Sequence, residues 1–176
     1  TGDTFTIVEQ WYELDEDGHL HDIAPRLGLD LTTGGRSAVA LPLLTPRQDI
    51  FVGNEGGPNF LFLNTGEGGF EEVAAVSGLA DPDQHARGIA ILDANDDGLF
   101  DLVCGNWDGH HRLYVQGFGG NFSNIAPPEM ASPSRVRTVI AADFDNDGYE
   151  EIFFNNIGEP NRLFRALEGG IIQIPI

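Results

Sequence analysis

Two short stretches of the sequence carry acidic side chains at alternating positions. One reads DANDDGLFD over residues 93–101 and the other DFDNDGYEE over residues 143–151. Oxygen side chains at positions 1, 3, 5 and 9 of such a turn, with the backbone carbonyl of position 7, surround a hard cation. The absence of any soft donor favours calcium over zinc or copper, and magnesium demands a stricter octahedral geometry. We predict two calcium sites, with ligands Asp93, Asn95, Asp97, Leu99 and Asp101 in the first and Asp143, Asp145, Asp147, Tyr149 and Glu151 in the second.

Glycine at position 6 and the residue at position 12 decide between the loop types that share this pattern. Gly98 and Gly148 permit a sharp turn that a Cβ atom would obstruct. An EF-hand would need a bidentate Glu at position 12 and a following helix. Position 12 is Cys104 in one loop and Phe154 in the other, and β-type apolar sequence surrounds both. An ordinary Asp/Gly turn remains as an alternative, which the repetition of the pattern disfavours.

The acidic loops recur within an internal repeat of about fifty residues. Each repeat contains four apolar blocks separated by Gly, Asn and Asp, which predicts four short antiparallel strands and an all-β fold of β-propeller blades. The innermost block, apolar and small, has the composition of a strand buried on both faces. The blocks occupy residues 36–41, 49–54, 59–62 and 69–74, then 88–92, 101–106, 111–114 and 121–126, then 138–142, 151–156, 161–164 and 170–175.

The repeat predicts that the whole chain, residues 1–176, is a single propeller fragment of three to four blades. We predict that residues 1–29 form outer strands of a first blade, that 30–79 form a blade without metal, and that 80–130 and 131–176 form blades with one calcium loop each. The blade at 30–79 lacks metal because its corresponding stretch retains only Asp49. Closed propellers use about four to eight blades, so we expect self-association or continuation into a longer propeller.

These residues resemble the FG-GAP/VCBS repeats of integrin α-subunit propellers, whose loops read DxDxDGxxD. They are more similar still to the cartilage acidic protein family and its bacterial relatives, from about Gly34 onward. The resemblance implies a seven-bladed propeller, calcium on the ten residues named above, and a secreted or matrix-associated adhesion role, or a periplasmic location in a bacterium. The stretches that carry it are residues 57–62, 105–108, 111–114, 137–147 and 151–156.

The charge of the chain restricts its partners. Asp and Glu total 28 against 9 Lys and Arg, which gives a formal net charge of −19. Such a chain repels nucleic-acid phosphates and anionic lipid but attracts cations, so we expect no nucleic-acid partner. No stretch approaches the roughly 18 apolar residues of a membrane span, so we expect no membrane insertion. Cys104 is the single cysteine, which excludes an intramolecular disulfide and a cysteine-based zinc site.

Two classes of function stay open. One is a non-catalytic, calcium-stabilised module for adhesion or protein interaction. The other is a carbohydrate-binding propeller, or the scaffold portion of a larger secreted enzyme, that uses Trp107, His110 and His111 in the connection between the second and third strands. In up-and-down blades the calcium loops share one side, so we expect a protein or glycan ligand to bind the opposite face. No G-x-S-x-G nucleophile motif occurs, and we predict that the chain is not an enzyme.

Overall fold

Short antiparallel strands dominate the computed structural model, which describes residues 10–32, 34–167 and 170–174. An outer hairpin comes first, followed by three four-stranded units. The hairpin is β1 (Tyr12–Leu14) and β2 (Leu20–Asp22). We number only the four-stranded blades from here on, so that the hairpin is not counted as a blade. The first blade is β3 (Gly35–Leu41), β4 (Asp49–Asn54), β5 (Phe60–Asn64) and β6 (Phe70–Glu72); the second is β7 (Ala86–Leu92), β8 (Asp101–Gly109), β9 (Arg112–Gln116) and β10 (Phe122–Asn124); the third is β11 (Ser134–Ala142), β12 (Glu151–Asn156), β13 (Arg162–Leu167) and β14 (Gly170–Ile174).

Strands that follow each other along the chain pair antiparallel within each blade, in the order inner, second, third and outer. The predicted all-β architecture of partial-propeller blades is therefore confirmed. The outer strands of the first two blades are shorter than the apolar blocks suggested. The first ends at Glu72 and is followed by a single-turn helix. The single-turn helices of the described residues are α1 (Ala24–Leu27), α2 (Ala74–Ser77) and α3 (Pro128–Ala131).

The second strand of the second blade is longer than its sequence block. β8 continues through Trp107 to Gly109, where it pairs with the start of β11 in the third blade, Trp107 opposite Arg135 and Gly109 opposite Ser134. Trp107 thus belongs to a strand and not to the connection in which the sequence had placed it. This pairing joins the second and third blades by backbone hydrogen bonds as well as by packing.

The apolar cores lie between neighbouring blades. Consecutive residues of β7 belong to different cores: Ile89 packs in the core shared with the first blade, and Ala90 packs in the core shared with the third. Successive side chains of a strand point to opposite faces, so this inner strand is covered on both sides. The described residues cover the inner strands of the first and third blades on one side, and Ile140 of β11 is 45% exposed.

A third core lies between the first blade and the segment that precedes it. It contains Ala24, Leu29, Val52 and Phe62. The helix α1 and the turn after it thus cover part of the sheet face of the first blade that points away from the second blade. Among the described residues, no helix is long and apolar enough to cross a membrane.

Candidate metal centres

Both acidic stretches form the connection between the inner and second strands of a blade. The first acidic loop, residues 93–100, joins β7 to β8, and the second acidic loop, residues 143–150, joins β11 to β12. Each loop begins where the apolar run of the inner strand ends, because the acidic residues that follow cannot continue an inner strand. Both loops leave the C-terminal end of an inner strand and therefore lie at the same end of the molecule.

Two residues of each loop adopt the left-handed backbone conformation. Asp96 and Asn146 at position 4 have φ of 57° and 61°, and Gly98 and Gly148 at position 6 have φ of 81° and 96°. Asp and Asn tolerate this conformation better than most residues, and glycine adopts it without steric cost. The turn that the glycine at position 6 was predicted to permit is present in both loops.

The carboxylates at positions 1 and 5 organise each loop by accepting backbone hydrogen bonds. Asp93 accepts from the N–H of Asp97 (3.1 Å) and of Gly98 (2.8 Å), and Asp97 accepts from the N–H of Leu99 (2.9 Å). The second acidic loop repeats all three bonds at 3.1, 3.0 and 3.0 Å in the equivalent positions. Two loops of different sequence thus share one internal geometry, with their acidic side chains turned toward the inside of the turn.

The carboxylate at position 9 is the buried member of each set. Asp101 accepts from the N–H of Ala94 (2.9 Å) at the start of the loop and from the N–H of Gln116 (2.8 Å) at the end of β9. Glu151 accepts from the N–H of Phe144 in the same way (2.9 Å). These bonds fix the loops to the sheet and hold one carboxylate rigidly at the base of each turn.

In the second acidic loop three carboxylates converge. One oxygen each from Asp143, Asp145 and Glu151 lie within 4.8 Å of one another. Within the described residues this is the one set of three acidic, His or Cys side chains that meets this distance. Hard oxygen donors at flexible geometry are what calcium accepts, so these residues fit that ion. Asp147 lies in the same loop, and the exposed Tyr149 offers its backbone carbonyl.

The first acidic loop is more open but carries an uncompensated negative charge. Asn95 donates a side-chain hydrogen bond to Asp97 (2.9 Å), and Asp93 is half-buried. Burial raises the pKa of Asp101, and the charges of Asp97 and Asp93 raise it further, against the backbone hydrogen bonds that it accepts. A cation bound among these three carboxylates would relieve that repulsion.

Two charged residues near the loops were not identified from the sequence. The guanidinium of Arg165, on β13, forms ion pairs with Asp145, with Asp147 (3.9 Å) and with Glu151 (3.1 Å). Glu150 of the second acidic loop accepts a long hydrogen bond from the N–H of Asp93 in the first (3.4 Å). The sequence does carry a signal for Arg165, because this charged residue occupies the repeat position at which the other two blades have the apolar residues Leu63 and Val115.

The corresponding loop of the first blade is closed by hydrogen bonds to Asp49 from the loop itself and from β5. Asp49 accepts from the hydroxyl of Thr45 (2.8 Å) and from the N–H groups of Leu44, Thr45 and Asn64 (2.8, 2.8 and 2.9 Å). Thr45 stands at position 5, where the other loops have an aspartate. A single carboxylate that is already surrounded by donors has little need of a cation.

The three candidate ligand-binding residues of the second blade do not form one exposed group. Trp107 is half-buried, with the guanidinium carbons of Arg87 and Arg137 at 4.5 and 5.6 Å from its ring centre. His110 is exposed and bonds the carbonyl of Ala131 (3.2 Å).

His111 is fully buried, which removes it from any external ligand. Its Nδ1 accepts from the N–H of Asn106 (3.0 Å), and its Nε2 donates to the hydroxyl of Ser134 (2.8 Å). Its ring also contacts Phe154 edge-on, with centroids 4.9 Å apart. Burial lowers the pKa of His111 to about 3, and the charge of Arg162 contributes, so the ring is neutral at physiological pH. His111 therefore connects the second blade to the third.

Comparison with protein families gives a match over more than half of the chain. A model of the FG-GAP-like repeat matches residues 46–104 and again residues 93–154. Each match extends to the second strand of the following blade and contains at least part of an acidic loop.

Individual relatives are similar over a longer stretch. Cartilage acidic protein 1 is 51% identical to this chain in Homo sapiens, 50% in Mus musculus and 48% in Xenopus tropicalis, and each alignment covers 84% of this chain. The same alignments cover 24% of each relative. The chain therefore spans about a quarter of the length of the curated relatives it matches.

Proposed function

Because the chain belongs to the family of FG-GAP-like repeat proteins, we propose that it is a calcium-stabilised β-propeller module that mediates adhesion or protein interaction outside the cell. The observation that carries this proposal is the repetition of one loop geometry, with the same three backbone hydrogen bonds, in the second and third blades. Both loops hold several carboxylates in one short turn, and bound cations would relieve the repulsion among these like charges. The oxygen-only donor set suits calcium.

The extracellular location is part of the proposal. Its support is the high identity to relatives that are named for cartilage, together with the shape of the loops. Their ligands are mostly exposed apart from Asp101 and Glu151. Calcium sites of extracellular modules bind in the range of about 10⁻⁴ to 10⁻³ M, which open loops of this kind can reach.

We further propose that the module has no catalytic activity. Two residues that often act in catalysis are committed to the fold. Both ring nitrogens of His111 are in internal hydrogen bonds, and Cys104 is fully buried, where desolvation raises the pKa of its thiol and disfavours the reactive thiolate. The alternative of a sugar-binding face has less support, because the ring of Trp107 is contacted by two guanidinium groups.

Thermal unfolding with calcium and with EGTA tests the proposal. A ligand at about 100 times its Kd stabilises the native state by about 2.7 kcal/mol per site, or roughly 5–10 °C in Tm for a chain of this size. The variants Asp97→Ala and Asp145→Ala should each lose part of this increase. Asp17→Ala, in the acidic turn of the outer hairpin, is the matched control and should keep all of it. An identical Tm in calcium and in EGTA would rule out the calcium site.

A further inference from the structure

Each inner strand contains one extra residue at the same place, and that residue is always arginine. The pairing with the second strand skips one position between Gly35 and Ser37, between Ala86 and Gly88, and between Val136 and Thr138. The skipped residues, which we call the arginine row, are Arg36, Arg87 and Arg137. A β-bulge of this kind turns its side chain away from the regular alternation of the strand. The bulges thus orient three of the chain's nine Lys and Arg side chains.

The residues between the arginines differ from blade to blade. Glu55, which follows β4, forms ion pairs with both Arg36 and Arg87. Trp107, at the equivalent place in the second blade, lies between Arg87 and Arg137, at 4.5 and 5.6 Å from their guanidinium carbons. The first gap, between Arg36 and Arg87, thus contains a carboxylate, whereas the second gap, between Arg87 and Arg137, is lined by an aromatic ring.

The second gap carries positive charge without a matching acid. Arg137 is exposed and forms no ion pair or hydrogen bond with any described residue, and the Nε of Arg87 is buried without an acceptor in the same part of the chain. The nearest acidic neighbour along the strand, Asp108, is paired with Arg135 (3.2 Å). Burial would raise the pKa of Glu55, but the hydrogen bonds and charge of Arg87 and Arg36 hold it below its usual value, so Glu55 is ionised and committed to the first gap.

The arginine row lies at the end of the blades opposite the acidic loops. Arg87 is near the start of β7, and the first acidic loop follows the end of that strand, about 20 Å away at 3.3 Å per residue. The guanidinium groups of the row are therefore separated from the acidic loops by the length of an inner strand, in a chain that is strongly acidic as a whole.

We infer that the second gap, formed by Arg87, Trp107 and Arg137, is a docking site for the carboxylate of an Asp or Glu side chain on a protein partner. Guanidinium groups bind carboxylates through paired, charge-assisted hydrogen bonds, and the indole ring covers the apolar stem of the same side chain. A polyanion such as a sulfated polysaccharide is disfavoured, because the net charge of −19 repels it at long range. An isolated acidic side chain experiences mainly the local field of the arginines.

This inference rests on the proposed function, an interaction module, and on the expectation that its partner binds the face opposite the acidic loops. A direct test uses the full chain in calcium with Trp11→Phe, so that Trp107 is the single fluorescent indole. The probe is a nine-residue peptide with the central sequence Gly-Asp-Glu-Asp-Gly, and its control carries Asn-Gln-Asn instead. The acidic peptide should change the Trp107 fluorescence and bind at least about tenfold more tightly than the amide peptide, as expected for one charge-assisted contact.

Three variants locate the site. Arg137→Gln should reduce the affinity for the acidic peptide about tenfold, and Glu55→Gln should increase it, because Arg87 is then released from its internal partner. The matched control is Arg26→Gln, which changes an exposed arginine of α1 that pairs with Glu13 of the outer hairpin. This variant should leave the affinity unchanged.

The outcomes separate this inference from the calcium proposal. Equal binding of the acidic and amide peptides, or no effect of Arg137→Gln, would overturn the inference even where calcium raises Tm. Tighter binding of a heparin hexasaccharide that depends on Arg137 would overturn the assigned partner class. Acidic-peptide binding that persists in EGTA, without any calcium effect on Tm, would support the docking site and overturn the calcium proposal alone.

Discussion

Arg165 gives the second acidic loop a cation of its own. Its guanidinium pairs with three carboxylates, Asp145, Asp147 and Glu151, whereas the equivalent residue of the second blade is the apolar Val115. A calcium ion entering the second acidic loop must compete with that guanidinium for the same oxygens. No guanidinium of a described residue pairs with the first acidic loop, and the raised pKa of Asp101 is consistent with a site that lacks compensation.

We therefore expect Arg165→Val to strengthen calcium binding at the second acidic loop by about tenfold, since one competing charge contact is removed. Isothermal titration calorimetry on the full chain measures this as a change in one of two sites. The reciprocal variant, Val115→Arg, should weaken the first site. Weaker calcium binding by Arg165→Val would mean that the guanidinium positions Glu151 for the ion and does not compete with it.

His111 makes the junction of the second and third blades sensitive to acid. Its folded-state pKa of about 3 lies far below its ordinary value of 6.5, so below pH 6.5 the unfolded chain binds a proton that the folded chain does not. Stability is present above pH 6.5 and is lost as the pH falls toward 3. The equivalent residues of the other blades, Asn59 and Asn161, accept the same backbone hydrogen bond without a titratable ring.

The variant His111→Asn should thus remove a pH dependence that the wild type shows. Between pH 7 and pH 5 the wild type should lose about 2 kcal/mol of unfolding free energy through this residue. Urea unfolding of both proteins at the two pH values, with calcium in excess, measures the difference. Equal pH dependence in the two proteins would show that the buried ring is not the group responsible.

At the scale of the loop, the first blade uses hydrogen bonds where the other two have clustered carboxylates. The hydroxyl of Thr45 donates to Asp49 (2.8 Å) in the position where Asp97 and Asp147 stand in the acidic loops. The loop retains the buried carboxylate at its base, and the backbone N–H groups around it are satisfied. This arrangement keeps the connection ordered without a cation.

Thr45→Val should accordingly lower the unfolding free energy by about 1 kcal/mol, the usual cost of one lost hydrogen bond, without changing calcium binding. Equilibrium dialysis followed by metal analysis should give two calcium ions per chain for the wild type and for the variant. A third ion in the wild type would contradict a metal-free first blade, and a lower count in the variant would contradict the independence of its loop.

Elements were predictable from the sequence wherever local pattern decides them. Short apolar blocks between Gly, Asn and Asp located the strands, because alternation and turn chemistry act within a few residues. Contacts between blades were not predictable in the same way. The extension of β8 to pair with β11 and the burial of His111 depend on what the neighbouring blade presents, and the ion pairs of Arg165 depend in the same way on a loop that is distant in sequence within its own blade. The arginine row required the strand register, in which a bulge becomes visible only once both partners are placed.

At the scale of the whole molecule, the cores lie between blades, so a blade without a neighbour leaves apolar surface open. On β11, Val139 packs against the second blade, and the next residue, Ile140, faces away from it and is 45% exposed. On the opposite side of the row of blades, a groove of about 430 Å³ at the first blade is lined by Trp11, Ala38, Val52 and Phe62 among others. The middle blade shows what such surfaces contact when covered, since its inner strand packs against a blade on each side.

We therefore expect the isolated chain to self-associate, with the open face of the third blade of one copy against the first blade of another. Exposed apolar patches of this kind are uncommon on monomers, and contact between unlike ends can close a ring or extend a chain of copies. Sedimentation velocity over micromolar concentrations should show a dimer or larger species. Ile140→Glu should shift the population toward monomer, because it places an unpaired charge in the contact. Val76→Glu, at an apolar residue of α2 that is 79% exposed, is the matched control and should sediment as the wild type does. A monomer at every concentration would contradict the expectation, and an equal effect of both variants would mean that added negative charge, and not the open blade face, governs the assembly.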